Sequence, residues 1–226
     1  MYNWLLFDAD NTVWDFSAAE SNSLRQCLES IGLEWTDDLL KTYRAINHVA
    51  WREYEQGLIN SLNLRTIRFQ RLIDHLGIDA DAAKLSVQYR RGLAASDHFM
   101  PGAEQTLQAL RPHYRMGLIT NGLSEVQRPR LKNTRLDDFF DFVLISDEVG
   151  VAKPEGAFFD LAFAEMKGAR PEEALVIGDN PVSDIMGAQL YGCASCWMDL
   201  GNGKSPERDA DFTVRELREL ERILLD

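Results

Sequence analysis

Five short apolar runs narrow the fold more than any other feature of this chain. They are "WLLFD" (4–8), "RMGLIT" (115–120), "FVLIS" (142–146), "ALVIGD" (174–179) and "ASCWMD" (194–199). Their apolar residues are near-continuous rather than alternating with polar ones, the pattern of strands covered on both faces. Helical patterns separate the later runs: "AEQTLQAL", "EVQRPRLKN", "GAFFDLAFAEM" and "SDIMGAQLY". Alternation of this kind predicts βα units, and so an α/β fold with a parallel sheet and helices on both faces. Pro129 should start or bend the helix it lies in. The segment "GNGKSPERD" (201–209) predicts a polar loop before a final helix, "RELRELERILL".

Between the first and second runs lie about 100 residues without a strand signal, far more than a βα crossover needs. They resolve into four helical patterns. Ser17 and Glu20 match a capping box, and the helix they open stops near Gly32. Thr36 caps a second helix that stops at Gly57, and Ser61 a third that stops at Gly77. A fourth runs through "AAKLSVQYRRGLAA". The expected organisation is a core of residues 1–16 and 97–226 with a helical insert over residues 17–96.

The 226 residues carry a formal net charge of −12. That charge argues against a nucleic-acid polymer or a membrane surface as partner. An anionic small molecule needs a local positive centre, such as a metal ion. "MYNWLLFDAD" has no basic stretch before its short apolar run, and no run approaches a membrane span, so the expected location is cytoplasmic. Cys193 and Cys196 form a C-x-x-C after a helix end and without a second cysteine pair, which predicts two packed thiols rather than a zinc or redox site.

In an open parallel sheet, ligands bind beyond the carboxyl ends of the strands. The first strand ends in Asp8, Asp10 and Thr12, and the second in Thr120, Asn121 and Gly122. The third ends in Ser146 and Asp147 before a loop bearing Lys153, and the fourth in Gly178 and Asp179 with Asp184 beyond. Carboxylates brought this close raise one another's pKa unless a cation joins them. Mg²⁺ suits an all-oxygen set, with Asp8 and Asp179 as direct ligands, the Asp10 main-chain carbonyl in reach, and Asp184 on the ion or on a coordinated water. A carboxylate is also a competent nucleophile toward phosphorus. Asp8 then attacks, Asp10 moves the proton, and Lys153 and Thr120 hold phosphoryl oxygens with N–H groups of Asn121 or Gly122. Asp184 could instead cap the next helix, and Thr12 could serve only the loop.

"DADNT" (8–12), "TN" (120–121), "KP" (153–154) and "GDNPVSD" (178–184) resemble, in order, the four motifs of the haloacid dehalogenase superfamily. The resemblance implies a Rossmann-like core, an α-helical cap inserted after the first motif, Mg²⁺ as cofactor and an aspartyl-phosphate intermediate. It assigns Asp8 as nucleophile, Asp10 as acid and base, Thr120 and Lys153 to phosphate, and Asp179 with Asp184 to the metal. The stretch "YRAINHVAWREYEQGLINSLNLRTIRF" (43–69), with "TNG" and "SDEVGVAKP", is similar to bacterial pyrimidine 5′-nucleotidases. That likeness implies a small phosphorylated substrate, a nucleoside monophosphate such as UMP, dUMP or dTMP, or an unusual analogue. A phosphatase or phosphomutase acting on sugar phosphates is the alternative. A haloacid dehalogenase would lack Asp10, and a phospho-acceptor switch needs neither that residue nor a cap.

Candidates for substrate specificity are Trp14 and Phe16 on the loop leaving the site, and Asn47, Trp51 and Arg68 in the insert. Each has a plainer alternative: aromatics at helical spacing pack cores, and polar residues on amphipathic helices face solvent.

Overall fold

The computed structural model describes residues 2–225. It divides into two compact units, residues 1–16 with 97–226 and residues 17–96.

The first unit is built on six parallel strands: β1 (Trp4–Phe7), β2 (Arg115–Thr120), β3 (Phe142–Ile145), β4 (Ala174–Gly178), β5 (Ala194–Met198) and β6 (Phe212–Val214). Their spatial order is β3-β2-β1-β4-β5-β6. This is the Rossmann-like order, with β1 at the centre between β2 and β4. Phe7 is level with Leu118 on one side and Ile177 on the other, so the chain leaves β1 beside the ends of both neighbours. The crevice where the strand order reverses opens between β1 and β4.

Successive residues of β1 point to opposite faces. Leu5 and Phe7 join a core with Leu118, Ile177, Leu107, Leu131 and Leu220. The last three come from α5 (Ala103–Leu110), α6 (Ser124–Thr134) and α10 (Glu219–Leu224). Trp4 and Leu6 join a second core with Val176, Phe158, Ala162 and Ala188, the last three from α8 (Gly156–Glu165) and α9 (Gly187–Tyr191). Cys196 lies in the first core and Cys193 in the second, both as free thiols. α7 (Ser146–Val149) is a single turn following β3.

The second unit holds α1 (Phe16–Glu29), α2 (Asp37–Glu55), α3 (Ser61–Leu76) and α4 (Ala82–Ala95). Tyr43, Phe69 and Tyr89 meet in its core with ring centroids 5.4–5.5 Å apart. Thr36 caps α2 as expected, accepting from the Leu39 N–H. α3 is capped by Asn60 rather than Ser61, because the Asn60 side chain accepts from the Asn63 N–H. Glu20 does not complete a capping box. It is buried and accepts from Arg44 Nε at 2.7 Å.

Three further local details stand out. Pro129 lies inside α6 rather than at its start. The final helix begins only at Glu219, after bends and turns over residues 215–218, and Phe212–Val214 ahead of these forms β6. The segment after β4 forms a π-type turn over Pro181–Met186 before α9. No helix among the described residues is long and apolar enough to cross a membrane.

Candidate active site

Two strand ends and two loops converge on one ammonium group. Lys153 Nζ donates to Asp8 Oδ1 at 2.7 Å, to Asp184 Oδ1 at 2.7 Å and to the Ile119 carbonyl at 2.8 Å. All three charged side chains are buried. Asp8 follows β1 directly and is anchored by its N–H on the Ile177 carbonyl at 2.8 Å. Asn121, at the end of β2, holds the Lys153 backbone from both sides. Its Nδ2 donates to the Lys153 carbonyl at 2.8 Å and its Oδ1 accepts from the Lys153 N–H at 2.9 Å. The Asn121 side chain therefore fixes the Lys153 backbone from which the ammonium projects.

Asp184 is fixed by the turn after β4. Its Oδ2 accepts from the Asn180 N–H at 3.0 Å, while Asn180 Oδ1 caps that turn by accepting from Val182 and Ser183 N–H groups. The carboxylate lies against the backbone of Gly178, where a Cβ would stand 2.2 Å from Asp184 Oδ2. Gly178 is thus required for space at its Cα. Asp179 completes an acidic group: Asp8, Asp179 and Asp184 each offer a ligand atom, all within 4.8 Å of one another.

One ammonium does not neutralise three buried carboxylates. Burial pushes the Asp8 carboxyl well above its usual value. Lys153 opposes this, while Asp184 and Asp179 add to it. Asp179 is pushed up to about 7, by burial first and then by Asp184. Burial works against the Lys153 charge, but Asp184 and Asp8 outweigh it and hold the ammonium above the usual lysine range. The remaining negative charge and the all-oxygen donor set fit a hard divalent cation.

This has a testable consequence in metal-free protein. The folded state holds the Asp179 proton up to about pH 7, whereas the ordinary carboxyl value is 3.8. Stability contributed by that proton is therefore lost as pH rises through this window. With a chelator present, Asp179→Asn should gain stability over wild type by roughly 3 kcal/mol between pH 5 and pH 8. Chemical unfolding of both proteins at the two pH values checks it. A stability difference that does not change with pH would contradict the charge conflict.

Asp10 departs from the cluster. Its carboxylate is not among the three that converge, so any metal ligation from this residue would fall to its main-chain carbonyl. Its side chain is held instead by Arg130 Nη1 at 2.6 Å and Gln127 Nε2 at 2.7 Å. Thr120, buried at the end of β2, accepts through Oγ1 from the Gly122 N–H at 3.0 Å and from Gln127 Nε2 at 3.3 Å. Asp147, at the end of β3, takes no part in the acidic group. Its Oδ2 accepts from the Ser124 N–H at 3.1 Å, where Leu123 has no side-chain oxygen to cap α6. Thr12 is wholly buried.

Trp14 is no open platform for a ligand. It is wholly buried, and the Arg130 guanidinium carbon lies 4.2 Å from its ring centroid. Phe16 is the first residue of α1. In the helical unit, Asn47 and Arg68 do not face solvent: both are buried, and Arg68 Nη1 donates to Asn47 Oδ1 at 3.0 Å. Trp51 packs edge-on against Tyr54 at 5.8 Å.

Sequence reasoning passed over Gln127 and Arg130. The available signal was two long polar side chains at i, i+3 in a helix whose opposite strand ends carry the chemistry.

Residues 2–192 match the profile of a hydrolase family described as haloacid dehalogenase-like hydrolase. Pyrimidine 5′-nucleotidase YjjG of Escherichia coli is 35% identical over 99% of this chain and 98% of its own. Pyrimidine 5′-nucleotidase PynA of Streptococcus pneumoniae is 32% identical over 87% of this chain and 83% of its own. HAD-hydrolase YfnB of Bacillus subtilis is 34% identical over 99% of this chain and 95% of its own. The magnesium-bound crystal structure of YfnB superposes with a TM-score of 0.90, covering 99% of this chain and 98% of that one.

Proposed function

Because the chain belongs to the haloacid dehalogenase-like hydrolases, we propose that it hydrolyses small phosphomonoesters through a phosphorylated Asp8. The carrying observation is the buried Lys153 ammonium, 2.7 Å from Asp8 and 2.7 Å from Asp184 at the carboxyl edge of the sheet. An oxygen of Asp8 attacks phosphorus, the bond from phosphorus to the ester oxygen breaks, and Asp10 gives that oxygen its proton. Water then attacks the phosphoryl group, Asp10 takes its proton, and the bond to Asp8 breaks to release inorganic phosphate. Lys153, the Thr120 hydroxyl and the Asn121 N–H hold phosphoryl oxygens while charge shifts among them, the Gly122 N–H being engaged by Thr120 Oγ1.

Asp8 and Asp179, with the Asp10 carbonyl, are the residues that would hold Mg²⁺. Asp184 is already held through both oxygens, which favours a role in orienting the set over direct ligation. Bound there, Mg²⁺ supplies positive charge to the phosphoryl oxygens and to the carboxylates around them.

For substrate, we favour pyrimidine nucleoside monophosphates. The support is that two relatives named pyrimidine 5′-nucleotidase match most of the chain, at 35% and 32% identity. In a panel of phosphomonoesters with Mg²⁺ present, UMP, dUMP and dTMP are expected to exceed sugar phosphates by about 10-fold or more in kcat/KM. Full chelation should abolish turnover of every substrate. Good turnover of sugar phosphates with little of the nucleotides would shift the assignment to a general small-molecule phosphatase. Turnover that survives chelation would remove the metal from the scheme.

A further inference from the structure

Gln127 and Arg130 are wholly buried, and neither belongs to the acidic group beside Lys153. Standing three residues apart, they share one face of α6. Each takes a different oxygen of Asp10: Gln127 Nε2 donates to Oδ2 at 2.7 Å, and Arg130 Nη1 to Oδ1 at 2.6 Å. The face of the same guanidinium covers Trp14, which is bridged to Asp10 within their shared loop. Gln127 Nε2 also reaches Thr120 Oγ1 at 3.3 Å. Room for it comes from Gly122, where a Cβ would lie 2.2 Å from Gln127 Nε2.

This arrangement is costly as a packing device. Arg130 Nε and Nη2 are buried and have no hydrogen-bond partner among the described residues. A buried guanidinium bonded through one nitrogen is a poor exchange for an apolar side chain of similar size. What it does accomplish is geometric. A carboxylate on a loop can turn about two side-chain bonds, and two donors on separate oxygens remove that freedom.

We propose that Gln127 and Arg130 are positioning residues for Asp10, fixing its carboxylate for proton transfer to and from the reacting oxygens. The proposal rests on Asp10 being the proton carrier. Misplacing a reacting group by about 1 Å can cost on the order of 10²-fold in rate. That loss should fall on esters whose leaving oxygen needs a proton. A p-nitrophenolate leaves without one, so its ester should be spared.

The test compares full-length, Mg²⁺-loaded wild type, Arg130→Met, Arg130→Lys, Gln127→Leu and Asp10→Asn. It measures kcat/KM, which reports steps through cleavage of the ester. The substrates are p-nitrophenyl phosphate and the alkyl phosphomonoester best turned over by wild type. Arg130→Met and Gln127→Leu should lose about 10- to 100-fold more on the alkyl ester than on the aryl ester. Asp10→Asn should show the same bias more strongly, and Arg130→Lys should recover part of the loss. Equal losses on both esters, or none, would overturn the positioning role. Should Arg130→Met not fold, Gln127→Leu and Arg130→Lys decide by the same criterion. If Asp10→Asn shows no leaving-group bias, the proton-carrier reading itself fails and the inference falls with it.

Discussion

Asparagine at position 8 is expected to lower kcat by at least about 10⁴-fold while leaving the fold intact. The substitution keeps the size of the side chain and leaves the Asp8 N–H on the Ile177 carbonyl. Lys153 keeps two of its three acceptors, Asp184 and the Ile119 carbonyl. Because burial and neighbouring carboxylates already disfavour a charge on Asp8, the amide should cost little stability in metal-free protein. What disappears is the proposed nucleophile. Acid quenching with labelled substrate should trap phosphate on wild type and none on Asp8→Asn, and circular dichroism should be unchanged. Turnover near wild type would mean that another residue attacks phosphorus.

The opposite balance is expected for Lys153→Met, which should damage both stability and rate. The ammonium is buried between two carboxylates, and removing it leaves both without their shared partner. Breaking a buried pair from one side costs about 3–5 kcal/mol. The rate should fall by about 10³-fold, since the cation proposed to face developing phosphoryl charge is also lost. On the proposed metal assignment Mg²⁺ would bind the carboxylates of the native state, so it should restore part of the stability by mass action. It should not restore the rate. Urea unfolding with and without Mg²⁺, beside steady-state kinetics, separates the two effects. Unaltered stability in the metal-free variant would contradict the central place given to this ion pair.

The sheet was legible because burial on both faces writes itself as near-continuous apolar runs. The five strands expected from them appear at or within one residue of those bounds. β6 was not legible: Phe212–Val214 is three residues long and follows a polar loop, too short to carry a pattern. The Asp8, Asp179 and Asp184 neighbourhood could be anticipated because strand order alone brings the ends of β1 and β4 together. Asp147 stood at an equally suggestive strand end but serves the α6 terminus, a use that depends on Leu123 lacking a capping oxygen. Gln127 and Arg130 were hidden for a related reason. Long polar side chains in a helix suggest a solvated face, and only the three-dimensional placement of Asp10 turns that face inward. Asn47 and Arg68 were ambiguous in the same way, and their mutual hydrogen bond inside the helical unit is a tertiary fact.

The tie between α7 and α6 bears on how the two halves of the chemistry stay matched. Asp147 holds the Ser124 N–H, and Glu148 holds Ser124 Oγ and the Arg128 guanidinium. A few residues after Glu148 the chain delivers Lys153, while α6 itself delivers Gln127 and Arg130. Lys153, proposed to meet the phosphoryl charge, and Gln127 and Arg130, proposed to aim the proton carrier, are thus mounted from a common datum. An insertion or shift at that junction would move both alignments together. Drift among homologous chains should therefore be tolerated there only as a paired change, with the α7 turn and the first turn of α6 varying as one part.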